Sequence, residues 1–287
     1  MTLPQGEIAG EIANDIERVI DAALAEDLGK GDVTTRAVIP AGTRLNLVMR
    51  TRQDIALAGI DIAVAVFRRL SPEARIDVLA RDGQRLNAGA TLVRIEGEAA
   101  GLLTAERTAL NIVQVLSGIA TLTRAYVERI AGTRARLLDT RKTLPGLRAL
   151  SKYATRMGGA TNHRHRLDDG ILIKDNHIAI AGGIANAVRR AKAARTGIAD
   201  VRVECDTLDQ VNEALAAGAD SILLDNMDVA TLRQAVERVA GRVPLEASGG
   251  VTLDNIRAIA ETGVDFISTG RITQAAPAAD IGLDIAD

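Results

Sequence analysis

The sequence has no tryptophan and only four other aromatic residues, Phe67, Tyr126, Tyr153 and Phe266, about 1% of 287 positions. Proteins that grip single-stranded nucleic acid do so by stacking bases on aromatic side chains, so that class is excluded. A net charge of −2 argues in the same direction, against any polyanion-binding surface. The single cysteine, Cys205, cannot form an intramolecular disulfide, which fits a reducing cytoplasm. Nothing near Met1 pairs a basic start with an apolar run, and no uncharged apolar stretch approaches the ~20 residues of a membrane span. The expectation is a protein that is neither secreted nor membrane-inserted. What is present is ordinary globular material, 47% hydrophobic and 25% charged, long enough for about two domains at roughly 150 residues each. The distribution is less ordinary. All three histidines, His163, His165 and His177, share one fifteen-residue window, and Thr140 to Lys174 holds eight Lys or Arg against two Asp.

Apolar positions at Ile12, Ile16, Val19, Ile20 and Leu24 predict a helix over 8–28, stopped by Gly29 and Gly31, with a turn over 29–35. From Leu45 to Glu98 short strands with a helical insert predict a small α/β domain on an antiparallel sheet. A long helical pattern follows from Gly101 to Ile130, with a break expected at Ser117-Gly118. Six apolar runs come next, each ending in polar residues or glycine, with Ala-rich helical stretches such as 208–217, 229–240 and 253–262 between most of them. Strand, polar tip and helix repeated in this way predict a parallel (β/α) barrel. Such barrels carry their active sites on the C-terminal strand tips, with phosphate at the last two, here Ser248-Gly249-Gly250 and Thr269-Gly270-Arg271. Glycines there either expose backbone N–H groups to phosphate or serve a turn.

The tips carry opposed charges. Arg141, Lys142 and Lys174 end parallel strands and so point into the barrel mouth, and Arg164 and Arg166 flank His165 nearby. Arginine forks and lysine point charges together predict a ligand with several negative charges. Glu204 and Asp225, at consecutive tips, read either as ion-pair partners of the lysines or as ligands of sugar hydroxyls, of Mg²⁺ bridging a phosphate, or of cationic character at a reacting carbon. If 163–165 were a strand, His163 and His165 would share a face. Two flanking arginines repel a divalent cation, however, so substrate hydrogen bonding from His163 is preferred to zinc, with His165 outside the site. Cys205 reads as a small buried hydrophobe.

These residues resemble the quinolinate phosphoribosyltransferase family. The likeness rests on Asp139-Thr-Arg-Lys-Thr-Leu-Pro-Gly-Leu-Arg148, Lys152-Tyr153-Ala154, Gly158-Gly159, Asn162-His163-Arg164 and Leu172-Ile-Lys-Asp-Asn-His177. It extends to Glu26 through Thr35, Leu103 through Thr108, Leu116 through Thr121, Leu224-Asp225-Asn226, Glu246 through Gly250 and Asp280 through Leu283. The resemblance implies an N-terminal α/β sandwich domain over 1–106 and a C-terminal open, irregular (β/α) barrel over 107–274, with 275–287 packing back on the first. It further implies that quinolinate and phosphoribosyl pyrophosphate yield nicotinate mononucleotide, pyrophosphate and CO₂, with Mg²⁺, in NAD biosynthesis. Arg107, Arg141, His163, Arg164 and Lys174 would contact the two carboxylates, Arg107 coming from the partner in a homodimer. Lys142, Glu204, Asp225 and the tips Ser248-Gly249-Gly250 and Thr269-Gly270-Arg271 would hold the phosphoribosyl half, Thr140 would join the binding set, and Lys142, Lys174, Glu204 and Asp225 would carry the chemistry.

The sequence departs from the family pattern at Ala160, at the basic pair His165-Arg166 and at Arg271. Two other readings compete: an aldolase-type lyase with Lys174 forming a Schiff base, and a non-catalytic phosphosugar sensor.

Overall fold

The structure is a computed structural model that describes residues 7–194, 197 and 200–286. The region near Met1, where a leader was sought, lies outside them. The described chain divides into two units, one taking residues up to Arg124, 143–159 and 275 onward, the other 125–142 and 160–274.

In the first unit, helix α1 (Glu7–Leu28) buries Ile12, Ile16, Val19, Ile20 and Leu24, the positions that its 3.6-residue period selects. It ends where Gly29 and Gly31 take positive φ. The turn expected over 29–35 is shorter than predicted, because Asp32 caps a second helix, α2 (Val33–Val38). Its Oδ1 accepts from Thr35 N at 2.9 Å and its Oδ2 from Thr35 Oγ1 at 2.5 Å. Then come β1 (Arg44–Thr51), β2 (Ile55–Ala56), α3 (Ile60–Leu70), β3 (Arg75–Val78), β4 (Arg85–Leu86) and β5 (Thr91–Glu98). β1 pairs antiparallel with β5 and with the C-terminal strand Ile281–Ile285, and β3 pairs with β5.

Helix α4 (Ala99–Arg129) runs without the break expected at Ser117-Gly118. Those residues are small for a different reason. Ser117 Oγ accepts from Ala58 N and donates to Ala58 O, both at 3.1 Å. A Cβ on Gly118 would lie 2.0 Å from Pro277 O. The C-terminal segment is laid along α4 at this point, with Ala279 N donating to Gln114 O at 2.9 Å and Gln114 Nε2 to Ile281 O at 2.7 Å. Helix α5 (Arg148–Met157) adds Leu150 and Ala154 to the same core that takes Leu110, Val113, Leu116 and Ile119 of α4. This shared apolar core places the division at Arg124 and not at the expected 106/107, and draws 143–159 into the first unit.

All six apolar runs form strands of the second unit: β6 (Arg136–Leu138), β7 (Ile171–Ile173), β8 (Val201–Cys205), β9 (Ser221–Asp225), β10 (Leu245–Ser248) and β11 (Phe266–Ser268). Between and after them lie α6 (Asp175–Ala181), α7 (Ile184–Ala194), α8 (Leu208–Ala216), α9 (Val229–Val239), α10 (Ile256–Ala260) and α11 (Arg271–Gln274). The strands make one parallel sheet in the order β6-β11-β10-β9-β8-β7. β6 and β7 are its two ends, so the barrel is open, and β6 is extended only by a bridge from Leu138 to Thr161. Alternation sorts the side chains: Val201, Val203 and Cys205 of β8 are buried on one face, and Arg202 and Glu204 occupy the other. Among the described residues no helix is long and apolar enough to cross a membrane.

Alanine at Gly118 would gain about 1 kcal/mol of helix propensity. Its methyl group must nevertheless displace a backbone carbonyl together with the hydrogen bonds that seat the C-terminal segment, an overpacking cost of about 1–3 kcal/mol. Gly118→Ala is therefore expected to lower the thermal midpoint in calorimetry; a raised midpoint would show that the segment yields freely.

Candidate active site

A cavity of about 680 Å³ lies at the C-terminal strand tips of the second unit. Its wall collects the side chains of one parity from successive strands: Leu172 and Lys174, Glu204, Leu223 and Asp225, Glu246 and Ser248, and Ser268. Thr140, Arg141, Lys142, His163, Arg164, Gly249, Gly250, Thr269, Gly270 and Arg271 complete the predicted set around it. Arg107 lies on α4 in the first unit and is not among the lining residues.

The basic residues are seated individually. Lys174 caps α6; its N–H donates to His177 Nδ1 at 3.0 Å and its Nζ to Glu204 Oε2 at 3.0 Å. The ion-pair reading of Glu204 is thus realised. Because Glu204 is mostly buried while Lys174 is half-exposed, the pair still presents its ammonium to the cavity. Lys142 is held by its backbone, with its N–H donating to Thr140 Oγ1 at 3.0 Å and its carbonyl accepting from Thr273 Oγ1 at 2.7 Å. Its stem passes so close to Gly270 that a Cβ there would lie 2.8 Å from Lys142 Cδ. Arg164 Nη1 donates to Gly170 O at 2.9 Å. Burial, then the adjacent Arg141 charge, lowers the Arg164 pKa from its usual value, the mark of cations gathered in one place.

Asp139, fully buried behind β6, organises the next segment: Asn162 Nδ2 donates to its Oδ2 at 2.5 Å and His163 N to its Oδ1 at 2.9 Å. Residues 162–166 are irregular and not a strand, so the shared face supposed for His163 and His165 does not exist. The His165 and Arg166 amides rest on the Asp169 carboxylate, and neither residue lines the cavity. His163 does line it, but both ring nitrogens face protein. Nδ1 accepts from Arg164 N at 2.7 Å, and Nε2 lies 3.3 Å from Glu246 Oε2. His163 therefore meets the cavity with both ring nitrogens already engaged. Among the described residues no group of three or more His, Cys, Asp or Glu is placed to hold a metal ion.

At the glycine tips, Gly249 has φ 85° and a Cβ on it would lie 2.2 Å from Asn226 Oδ1. Asn226, itself at φ 53°, donates from its N–H to Ser248 O at 2.9 Å and from Nδ2 to Asp225 Oδ2 at 2.7 Å. These contacts lock two neighbouring tips together. The helix-dipole argument weakens here, because α10 starts at Ile256 and not at the predicted Leu253, and α11 has only four residues. Thr269 N already donates to Leu138 O and Arg271 N to Thr269 Oγ1, both at 3.3 Å, so the amides of Gly249, Gly250 and Gly270 are what remains for a phosphate. Cys205 is buried, and burial with nearby Asp206, Glu204 and Glu213 pushes its thiol up to about 12, which suits an inert filler.

Sequence reasoning passed over Asn226, Arg202 and Glu246 as site residues. Their signal was parity: a charge two positions before Glu204 and two before Ser248, in otherwise apolar strands, shares the face of those tips.

Fold and site together define a parallel-barrel protein with a basic, carboxylate-edged cavity for a polyanionic ligand. The N-terminal and C-terminal domain models of quinolinate phosphoribosyl transferase match residues 32–117 and 119–284. A carboxylating nicotinate-nucleotide pyrophosphorylase of Mycobacterium leprae is 46% identical over 272 residues, 93% of this chain and 95% of that protein. A probable counterpart in Bacillus subtilis is 38% identical, covering 94% and 93%. The solved nicotinate-nucleotide pyrophosphorylase of Francisella tularensis superposes with a TM-score of 0.92 at 42% identity, over 95% of this chain and 96% of that one. The chain belongs to the quinolinate phosphoribosyl transferase family.

Burial, with Asp206 nearby, raises the Asp225 carboxyl above its usual range, against the hydrogen bond from Asn226 and the charges of Lys174 and Lys142. A carboxyl raised in this way binds its proton more tightly folded than unfolded. Its ionisation at neutral pH therefore opposes folding, and the penalty is relieved as pH falls through the raised value. Asp225→Asn is expected to raise the thermal midpoint at neutral pH, with the gain shrinking in acid, while abolishing most turnover. A lowered midpoint at neutral pH would contradict this.

Proposed function

We propose that this protein transfers phosphoribosyl from phosphoribosyl pyrophosphate to quinolinate with decarboxylation, giving nicotinate mononucleotide, pyrophosphate and CO₂ for NAD biosynthesis. The observation that carries the reading is the convergence of Arg141, Lys142, Arg164 and Lys174 on one cavity that Glu204, Asp225 and two glycine tips also line.

Two anionic substrates repel each other, so a site that unites them has to supply the compensating charge. Arg141, Arg164 and Lys174 face the two quinolinate carboxylates, arginine by its planar fork. Lys142 and the tips Ser248–Gly250 and Thr269–Arg271, through the amides of their glycines, receive the phosphate groups. As the pyridine nitrogen approaches the anomeric carbon, the bond to pyrophosphate lengthens and positive charge develops on the ribose. Glu204 and Asp225 are the carboxylates placed to stabilise it, and fixed charge in a partly desolvated site acts strongly. The nitrogen, once alkylated, is cationic, so loss of the adjacent carboxylate as CO₂ leaves an electron pair that the ring stabilises until a proton replaces it. No protein nucleophile is needed. A Schiff-base lysine has to be free to attack a carbonyl, whereas Lys174 Nζ is tied to Glu204 in a cavity lined by arginines that suits anions, which disfavours the aldolase reading.

With two carboxylates and no third protein ligand, the site fits Mg²⁺ held mainly by pyrophosphate, with Glu204 and Asp225 as its protein ligands. The ion would neutralise the leaving group's charge. In the same reading the protein works in the cytoplasm as a homodimer, and Arg107 of each subunit completes the quinolinate pocket of the other.

Quinolinate, phosphoribosyl pyrophosphate and Mg²⁺ together should release CO₂ and pyrophosphate in equal amounts, with little turnover of nicotinate. Absence of CO₂ would defeat the carboxylating assignment, and binding without pyrophosphate release would indicate a sensor. Mixed dimers of Arg107→Ala and Lys174→Ala subunits should recover part of the activity that each parent lacks. No recovery would place Arg107 in its own subunit's site or in none.

A further inference from the structure

We propose that Glu246 and Arg202, buried one layer beneath the strand tips, are positioning residues that fix the His163 ring and thereby set the quinolinate pocket; this rests on the reading of the cavity given above. Barrel interiors are ordinarily filled with branched apolar side chains. Here β8 and β10 instead contribute an arginine and a glutamate, each as the second residue of its strand. The Glu246 side chain is 2% exposed, and those of Arg202 and His163 are 16% and 13%.

The connections leave Arg202 little freedom. Its Nη1 donates to Glu246 Oε2, its Nη2 to Asp200 Oδ2 at 3.0 Å and its Nε to Ser221 Oγ at 2.8 Å. Ser221 Oγ in turn donates to the Asp200 carboxylate, 2.9 Å from Oδ2. Every guanidinium nitrogen therefore has a fixed acceptor, and Glu246 Oε2 is fixed in turn. That oxygen is the atom His163 Nε2 faces at 3.3 Å, with Arg202 Nη1 2.6 Å from the same ring nitrogen. From the other side the His163 backbone is tied to Asp139 and its Nδ1 accepts the Arg164 amide. With Nδ1 an acceptor, the proton of a neutral ring belongs on Nε2, directed to Glu246 Oε2, and the Arg202 Nη1 hydrogens go to that same oxygen and not to Nε2.

Buried ion pairs are a poor source of stability, because desolvation offsets their attraction and apolar replacements are often as stable or more so. A network of this size that ends on His163, beside Arg164 and at the cavity wall, is better explained by what it positions. A ring held at both nitrogens keeps its edge, and the Arg164 amide bonded to it, in one place. That is what recognition of a flat, rigid ring with two adjacent carboxylates requires.

The test compares Glu246→Gln, Arg202→Met and the double variant, which removes both buried charges and leaves the partly exposed Asp200 hydrogen-bonded by Ser221 Oγ. Losing one charged partner of a hydrogen-bonded network is worth about tenfold or more, so Glu246→Gln should raise KM for quinolinate by about that factor while KM for phosphoribosyl pyrophosphate stays within about twofold. The double variant should regain thermal stability without regaining quinolinate affinity. If it regains both, or if the two KM values rise together, the pair is merely structural and the proposal falls. ¹⁵N spectra of the three imidazoles, with His163 assigned by His163→Asn, give an answer independent of turnover. The proposal expects an unprotonated Nδ1 in the native protein and a changed signal in Glu246→Gln. A protonated Nδ1, or a signal unmoved by Glu246→Gln, overturns it. If native protein fails to turn over quinolinate while the spectra are as expected, the function assigned above is wrong but the Glu246–His163 contact stands.

Discussion

Four cationic side chains, Arg141, Lys142, Arg164 and Lys174, share one cavity, and their mutual repulsion is the constraint that shapes its surroundings. Each nearby carboxylate can be understood as a response to it. Glu204 meets Lys174 directly. Asp139 is buried under the segment that carries His163 and Arg164, and donates no charge to the cavity surface while fixing the backbone there. Glu246 is deeper still. Burial alone would raise its carboxyl, but the hydrogen bond with His163 and the charge of Arg202 outweigh it and hold the pKa below the usual range. Asp139 and Glu246 keep their charges buried while Glu204 and Asp225 edge the cavity, so the ligand meets four cations beside two carboxylates. This reconciles a net charge of −2 with a strongly basic pocket.

The second constraint is steric. At Gly249 and Gly270 the missing Cβ makes room for a particular neighbour, Asn226 in one case and the Lys142 stem in the other. The glycine tips therefore let adjacent tips close on each other, beside the phosphate-binding role proposed for them. The two roles are compatible, since a tip braced from the side holds its amides still. Gly118 shows the same logic far from the chemistry, where a helix glycine admits the carbonyl of Pro277.

Much of this was legible in the residues. Six apolar runs with polar ends became six parallel strands, and the residues at those ends line one cavity, because strand alternation and barrel direction leave tip side chains nowhere else to point. Other features depend on contacts distant in sequence. The break expected at Ser117-Gly118 failed because Ala58 and Pro277, which give those small residues their purpose, are fixed only by the fold. The boundary at Arg124 likewise follows from a core shared by α4 and α5, not from any change in local pattern. His163 was read as a hydrogen-bonding partner of substrate, and nothing local reveals that its ring faces Glu246, eighty-three positions away.

The central claim is that one cavity at the strand tips of the second unit holds both anionic substrates, carboxylates against the arginines and phosphates against the glycine tips. A crystal structure of the protein with quinolinate and a non-reacting phosphoribosyl pyrophosphate analogue tests this most directly. The account predicts the quinolinate carboxylates beside Arg141, Arg164 and Lys174, and the analogue's phosphates on Lys142 and the backbone of 248–250 and 269–271. Either ligand bound elsewhere, or the two in exchanged positions, would contradict it.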